Sequence, residues 1–164
     1  MRKAIAVAAG LLVLAVVNWS IYARERLLET GQVVLLELAP IDPRSLMQGD
    51  YMALRFKIAT QLAGQDRTVD DGYAVVQVGE HGVGSFVRRD GGEPLAPATL
   101  RMRYRVREGF VKFATNAYFF EEGTGDAYSR ARYGEFRVSP GGDMLLTHLV
   151  NEKFERMGPP KPGR

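Results

Sequence analysis

The chain has 164 residues, enough for one domain with a substantial core and one accessory segment. Its 46% apolar and 10% aromatic content exclude a disordered chain, and the lack of cysteine excludes disulfides and thiolate metal sites. The formal charge is +3, but setting aside Arg2, Lys3, Lys161 and Arg164 leaves 18 basic against 19 acidic residues, which weighs against a nucleic-acid binder with its concentrated basic face.

Arg2 and Lys3 precede an uncharged apolar run over residues 4–17, which continues through Asn18, Trp19, Ser20, Ile21, Tyr22 and Ala23 to Arg24. That is about 20 residues, the length of a helix that crosses a bilayer. Trp19 and Tyr22 stand where an interfacial aromatic belt would lie. A cleaved signal peptide is the rival reading, but Asn18, Trp19, Ile21 and Tyr22 crowd the place where a cleavage site needs small residues. The preferred reading is an uncleaved anchor that meets the lipid bilayer through residues 4–23. Flanking basic residues tie, Arg2 and Lys3 against Arg24 and Arg26. The short N-terminal tail ahead of a long domain then favours a single pass with the domain outside, in the periplasm of a bacterium.

Residues 23–29 extend the helix, and Gly31 ends it. Val33, Val34, Leu35, Leu36 and Leu38 make residues 32–38 a strand buried on both faces. Pro40, Pro43 and Gly49 frame a rigid turn. From Tyr51 to Ile58 a strand is expected, with Met52, Leu54, Phe56 and Ile58 on its buried face and Tyr51, Ala53, Arg55 and Lys57 on the other.

Residues 61–72 read as a polar loop. Strands over 73–78 and 83–89 flank the turn Gly79-Glu80-His81-Gly82, the strongest hairpin signal in the chain. After a loop over residues 90–97, residues 100–107 alternate without a fault: Leu100, Met102, Tyr104 and Val106 face one way, Arg101, Arg103, Arg105 and Arg107 the other. Glu108-Gly109 turns the chain into a strand over 110–115, and residues 116–120 start a further strand or edge. Asp126 is expected to cap a short helix through Arg132. Strands over 133–139 and 144–150 flank a second hairpin turn at Pro140-Gly141-Gly142-Asp143. Residues 152–157 read as a short helical end and 158–164 as a disordered tail.

These elements predict a mainly β fold, antiparallel and barrel- or sandwich-like, with one N-terminal transmembrane helix and one short helix. The organisation expected is an anchor and juxtamembrane helix over 1–30, a β-rich domain over 31–157, and the tail.

Three constellations carry potential function. Asp42, Arg44, Gly49, Asp50, Tyr51 and Arg55 bring opposite charges to the rigid turn; a pocket using Asp50 competes with the plainer reading that Asp50 accepts backbone N–H bonds. The ladder Arg101, Arg103, Arg105 and Arg107 sets four guanidinium groups on one strand face, roughly 7 Å apart. It would bind anionic headgroups, a polyanionic glycan or an acidic partner, or serve only as a solvated, salt-bridged face, with Glu37, Glu121, Glu122 and Glu135 as available internal partners. Glu121, Glu122 and Asp126 form an acidic loop suited to acid–base work or a hard cation, or simply to closing the loop onto the helix.

No catalytic residue, cofactor or metal site is assigned. His81 and His148 are too few for a typical zinc site. Ser45 has no Ser-x-x-Lys or Gly-x-Ser-x-Gly context.

The stretch Gly49-Asp50-Tyr51-Met52-Ala53-Leu54-Arg55-Phe56 closely resembles the signature of the GDYXXLXY family of bacterial membrane-anchored proteins. The lead-in Pro40-Ile41-Asp42-Pro43-Arg44-Ser45-Leu46 and the later blocks at 118–125 and 131–138 are also similar to that family, so the resemblance spans residues 31–149. Phe56 departs from the family's tyrosine, so no role that needs a phenol carries over. The resemblance implies a membrane location and a neighbouring multi-spanning membrane protein as possible partner; it brings no activity or catalytic residue. The function expected is therefore a non-enzymatic accessory or subunit of an integral membrane partner. The alternative is a membrane-tethered hydrolase or ligand-binding enzyme using Asp50 with Glu121 or Glu122.

Overall fold

The structure, a computed structural model, describes residues 2–39, 47–48, 51–64, 70–115 and 117–158. Helix α1 (Arg2–Thr30) comes first. It ends where expected: the Gly31 N–H donates to the Leu27 carbonyl at 2.9 Å, and a Cβ at Gly31 would strike that carbonyl and the Arg137 side chain. Arg137 Nη1 donates to the Gly31 carbonyl at 3.1 Å, a cation placed at the negative end of the helix. No loop intervenes before strand β1 (Gln32–Glu37), so the helix end is fixed to the domain. Among the described residues no helix is long and apolar enough to cross a membrane. The span expected from sequence starts at Ala4, and the side chains of Arg2, Ala4, Ala6 and Ala8 are not among those described.

The remaining elements are β2 (Met47–Gln48), β3 (Tyr51–Ala53), α2 (Lys57–Ala63), β4 (Gly72–Val78), β5 (Gly84–Arg89), β6 (Thr99–Arg107), β7 (Phe110–Phe113), β8 (Ala117–Phe119), β9 (Tyr133–Val138) and β10 (Met144–Val150). All strand pairs within the sheets are antiparallel, in the orders β1-β9-β10, β2-β3-β8 and β5-β4-β6-β7. The expected mainly antiparallel β class therefore holds. Two bridges tie the sheets together, Leu35 to Val83 and Leu38 to Phe56. One core runs through them: Val34, Leu36, Phe56, Leu62, Val76, Met102, Tyr104, Phe113, Phe136 and Leu149 are all buried. Each such side chain contributes about 1.5–3 kcal/mol of apolar burial. Both faces of β1 are covered, since Val34, Leu35 and Leu36 are all inside.

Both hairpins form. His81 and Gly82 take positive φ in the β4–β5 turn, and Gly142 does so before β10. Glu108 and Gly109 both have positive φ (56° and 77°), which matches the twist of the tight β6–β7 hairpin.

Three expectations fail locally. The strand predicted over 51–58 stops at Ala53, and α2 starts at Lys57 and runs to Ala63, into the polar loop predicted over 61–72. Met52, Leu54 and Phe56 are buried as alternation requires, but Ile58 and Leu62 then follow at the i, i+4 spacing of a helix face. The helix predicted over 126–132 is one 3₁₀ turn, Gly125–Tyr128, with Thr124 rather than Asp126 at its N-cap; the Thr124 hydroxyl donates to the Glu121 carbonyl at 2.6 Å. The helical end predicted over 152–157 is a turn. Asn151 Oδ1 accepts from the N–H groups of Lys153 and Glu155, and Arg156 then bridges back to Val150.

Candidate functional site

Three of the four β6 arginines share a cavity of about 670 Å³ with α1. Ser20, Ala23, Arg24 and Leu27 wall one side, a single helix stripe at i, i+3, i+4 and i+7. Arg103, Arg105 and Arg107 face it with Lys112, Ala114 and Thr115, while Asp143, Met144, Leu145 and Leu146 close the remaining wall. The strict alternation of β6 produces this face. Met102 and Tyr104 are buried beneath it, which forces the intervening arginines outward.

The ladder divides in two. Arg101 lies outside the cavity lining and is engaged at the sheet's end. Its Nε donates to Asp90 Oδ2 at 2.6 Å and its Nη2 to the Glu93 carbonyl at 3.1 Å. Arg103 reaches Asp143 at 3.4 Å. Arg107 contacts both Asp71 oxygens, at 3.2 and 3.3 Å. The partners are thus aspartates rather than the expected glutamates, because Asp71, Asp90 and Asp143 sit in turns beside β4, β5 and β10 and rise next to the β6 face. Glu37 pairs with Lys57 instead, at 3.0 Å.

Cations remain in excess. Among the described residues, Arg24, Arg103, Arg105, Arg107 and Lys112 line the cavity against one carboxylate, Asp143. Arg24 and Arg105 make no hydrogen bond or ion pair among the described residues. Arg105 also stands directly opposite Lys112 in the β6–β7 register. Lys112 is 4.0 Å from the exposed Glu108 carboxylate. The bond from the Val106 N–H, followed by the Arg107 and Arg105 charges, holds the Asp71 carboxyl below its ordinary value against an opposing cost of desolvation. The Arg101 bond does the same for Asp90, aided by the Gly92 N–H and Arg88.

A second polar centre lies across β9. Glu135 is the buried charged residue of the domain core among the described residues. Arg156 Nε and Nη2 donate to its two oxygens at 2.8 and 2.9 Å, and the Thr147 hydroxyl lies 3.1 Å from Oε1. His148 Nδ1 is 3.5 Å from Oε1 but outside hydrogen-bond geometry. Burial alone would raise the Glu135 carboxyl; the Arg156 fork and the Thr147 hydroxyl outweigh it and hold the group below its ordinary value.

Of the other sequence candidates, those among the described residues do not line the cavity. Asp42, Arg44, Gly49 and Asp50 lie outside the described residues. Tyr51 packs on Phe119, with ring centroids 5.8 Å apart, and Arg55 lies over the Phe110 ring at 5.6 Å. Glu121, Glu122 and Asp126 are exposed, and none lines the cavity. No group of three histidine or acidic side chains arranged for a metal occurs among the described residues.

Sequence reasoning did not place Arg24, Lys112 and Asp143 beside the arginine ladder. The stripe at 20, 23, 24 and 27 is visible in the sequence, but its docking against β6 is a long-range event without a local signal.

A helix-led, mainly antiparallel β protein with a cationic cavity at the helix–sheet junction is thus the class that these features define. A family model described as GDYXXLXY protein matches residues 13–149, and the chain belongs to that family. Neither the curated proteins nor the solved structures hold a match to it.

Proposed function

We propose that the chain is a single-pass protein of a bacterial inner membrane, anchored by α1, whose β-rich domain lies on the periplasmic side and acts as a non-enzymatic accessory or subunit of an integral membrane partner. The exposure of α1 carries this reading. Leu11, Leu12, Val13 and Leu14 follow one another at roughly 100° steps and so point in every direction round the helix. All four are more than half exposed. An apolar surface that encircles a helix is not left in water. A bilayer covers it from all sides, whereas a groove on a soluble partner covers one. Trp19 and Tyr22, exposed with ring centroids 6.5 Å apart, suit the interface just before Arg24.

Alkaline carbonate extraction of native membranes tests the anchor, and the chain should stay in the pellet. Affinity purification in mild detergent through a C-terminal tag tests the accessory role: a multi-spanning protein should come down in near-equal amount. A chain that purifies alone reproducibly would overturn the subunit reading.

A further inference from the structure

We infer that the cavity between α1 and the β6–β7 hairpin binds the phosphate headgroup of an anionic phospholipid, drawn from the leaflet at which α1 meets the domain. This rests on the reading of α1 as a membrane anchor and adds a ligand to it.

The first argument is charge. Arg24 reaches the cavity from the helix and Arg105 from the sheet, and neither has a hydrogen-bond or ion-pair partner among the described residues. Arg105 faces Lys112 across the hairpin. Like charges directly opposite on neighbouring strands destabilise the pair, and two oxygens of one phosphate relieve that repulsion by accepting from both. The described carboxylates neutralise this pair only weakly: Asp71 is bound by Arg107 and the Val106 N–H, Asp143 by Arg103, and Glu108 reaches Lys112 only at 4.0 Å and from an exposed position.

The second argument is depth. Arg24 follows Trp19 by five residues, about 7.5 Å along a helix. The headgroup layer is roughly 5–7.5 Å thick on each side of the hydrocarbon. A helix with Trp19 at the hydrocarbon edge therefore carries Arg24, and the cavity it lines, to the outer boundary of the headgroup layer.

The third argument is the lining. Leu27, Met144 and Leu146 flank the cations and give the cavity an apolar border on the side away from Trp19. The volume of about 670 Å³ falls in the usual range for small-ligand sites.

The test uses the full chain in mild detergent, with native mass spectrometry of lipids retained after exchange into phosphatidylglycerol or phosphatidylcholine. The wild type should retain phosphatidylglycerol at least about tenfold better than phosphatidylcholine. The double variant Arg105→Gln/Lys112→Gln, changed at surface positions that leave the core intact, should lose that preference. Equal retention of the two lipids by the wild type, or an unchanged preference in the variant, overturns the inference. Retention of inorganic phosphate without any preference for phosphatidylglycerol would assign the site to free phosphate and also overturn it. Carbonate extraction is read separately. A chain stripped from membranes sinks the anchor, whereas a chain that stays embedded but shows no lipid preference sinks only the headgroup site.

Discussion

The two charged centres of this domain are built on opposite terms. Around Glu135 a buried carboxylate meets a guanidinium fork and a hydroxyl. Around Arg105 exposed cations outnumber the carboxylates, and two of them face each other across a hairpin. The first arrangement satisfies its carboxylate and so explains itself as part of the fold. The second carries an excess of cations among the described residues, which is the pattern expected where charge is kept for a ligand.

That contrast breaks most sharply at Arg156. Truncating it to alanine leaves Glu135 buried without its counter-charge, and such losses cost about 3–5 kcal/mol for a fully buried pair. Arg156 is half exposed, so water replaces part of the loss and the low end, about 3 kcal/mol, is expected. Thermal unfolding of the full chain in detergent reads this as a fall of roughly 6–12 °C. An unchanged midpoint would mean that the pair is not structural.

The next effect tests the core that holds both centres in place. A Cβ at Gly84 would lie 2.8 Å from Val34 Cγ1 and 2.8 Å from Val76 Cγ1, where β5 passes under β1. Gly84→Ala should cost about 1–3 kcal/mol through overpacking. The same substitution at Gly109 meets no neighbouring atom, and its cost comes only from the positive φ. A melt in which Gly84→Ala is the milder of the two would contradict the close β1–β5 packing.

Acid sharpens the comparison from another side. The Glu135 carboxyl is lowered in the folded state. Its contribution is therefore complete above the unfolded carboxylate value, about 4.3, and is lost as pH falls through and below that value. Asp71 and Asp90 are lowered too and carry the same sign. The melting temperature should fall between about pH 5 and pH 3, and Glu135→Gln should flatten that slope in part, leaving the aspartates' share. A Glu135→Gln profile parallel to the wild type would remove Glu135 from the acid response.

The self-contained parts of the molecule were also the legible ones. Both hairpins and the alternation of β6 could be read because period two and turn glycines are local signals. The end of β3 could not, since Met52, Leu54, Phe56 and Ile58 keep period two straight into α2, and Phe56 supplies no side-chain cap to mark the change. The arginines of the ladder were plain, but their division into Arg101, bound at the sheet's end, and the three that face α1 depends on strand order and helix docking. Partner identity failed for a related reason. Glutamates were chosen by type, whereas turn position brings Asp71, Asp90 and Asp143 to the β6 face.

The smallest effect separates the two centres most directly, because its sign is unusual. Replacing Arg105 with glutamate puts an acid opposite Lys112 and between Arg103 and Arg107 on the same strand face. An opposite-charge pair across strands is worth roughly 0.2–1 kcal/mol, and exposure and salt press it toward the lower end. Arg105→Glu should therefore raise the melting temperature by about 1–3 °C in detergent free of anionic lipid, whereas Arg156→Ala lowers it. Added phosphatidylglycerol should lift the wild type and leave the variant where it was, since ligand binding stabilises only the state that binds. A wild type indifferent to the lipid, together with an Arg105→Glu variant less stable than it, would mean that the β6 cations serve the fold after all.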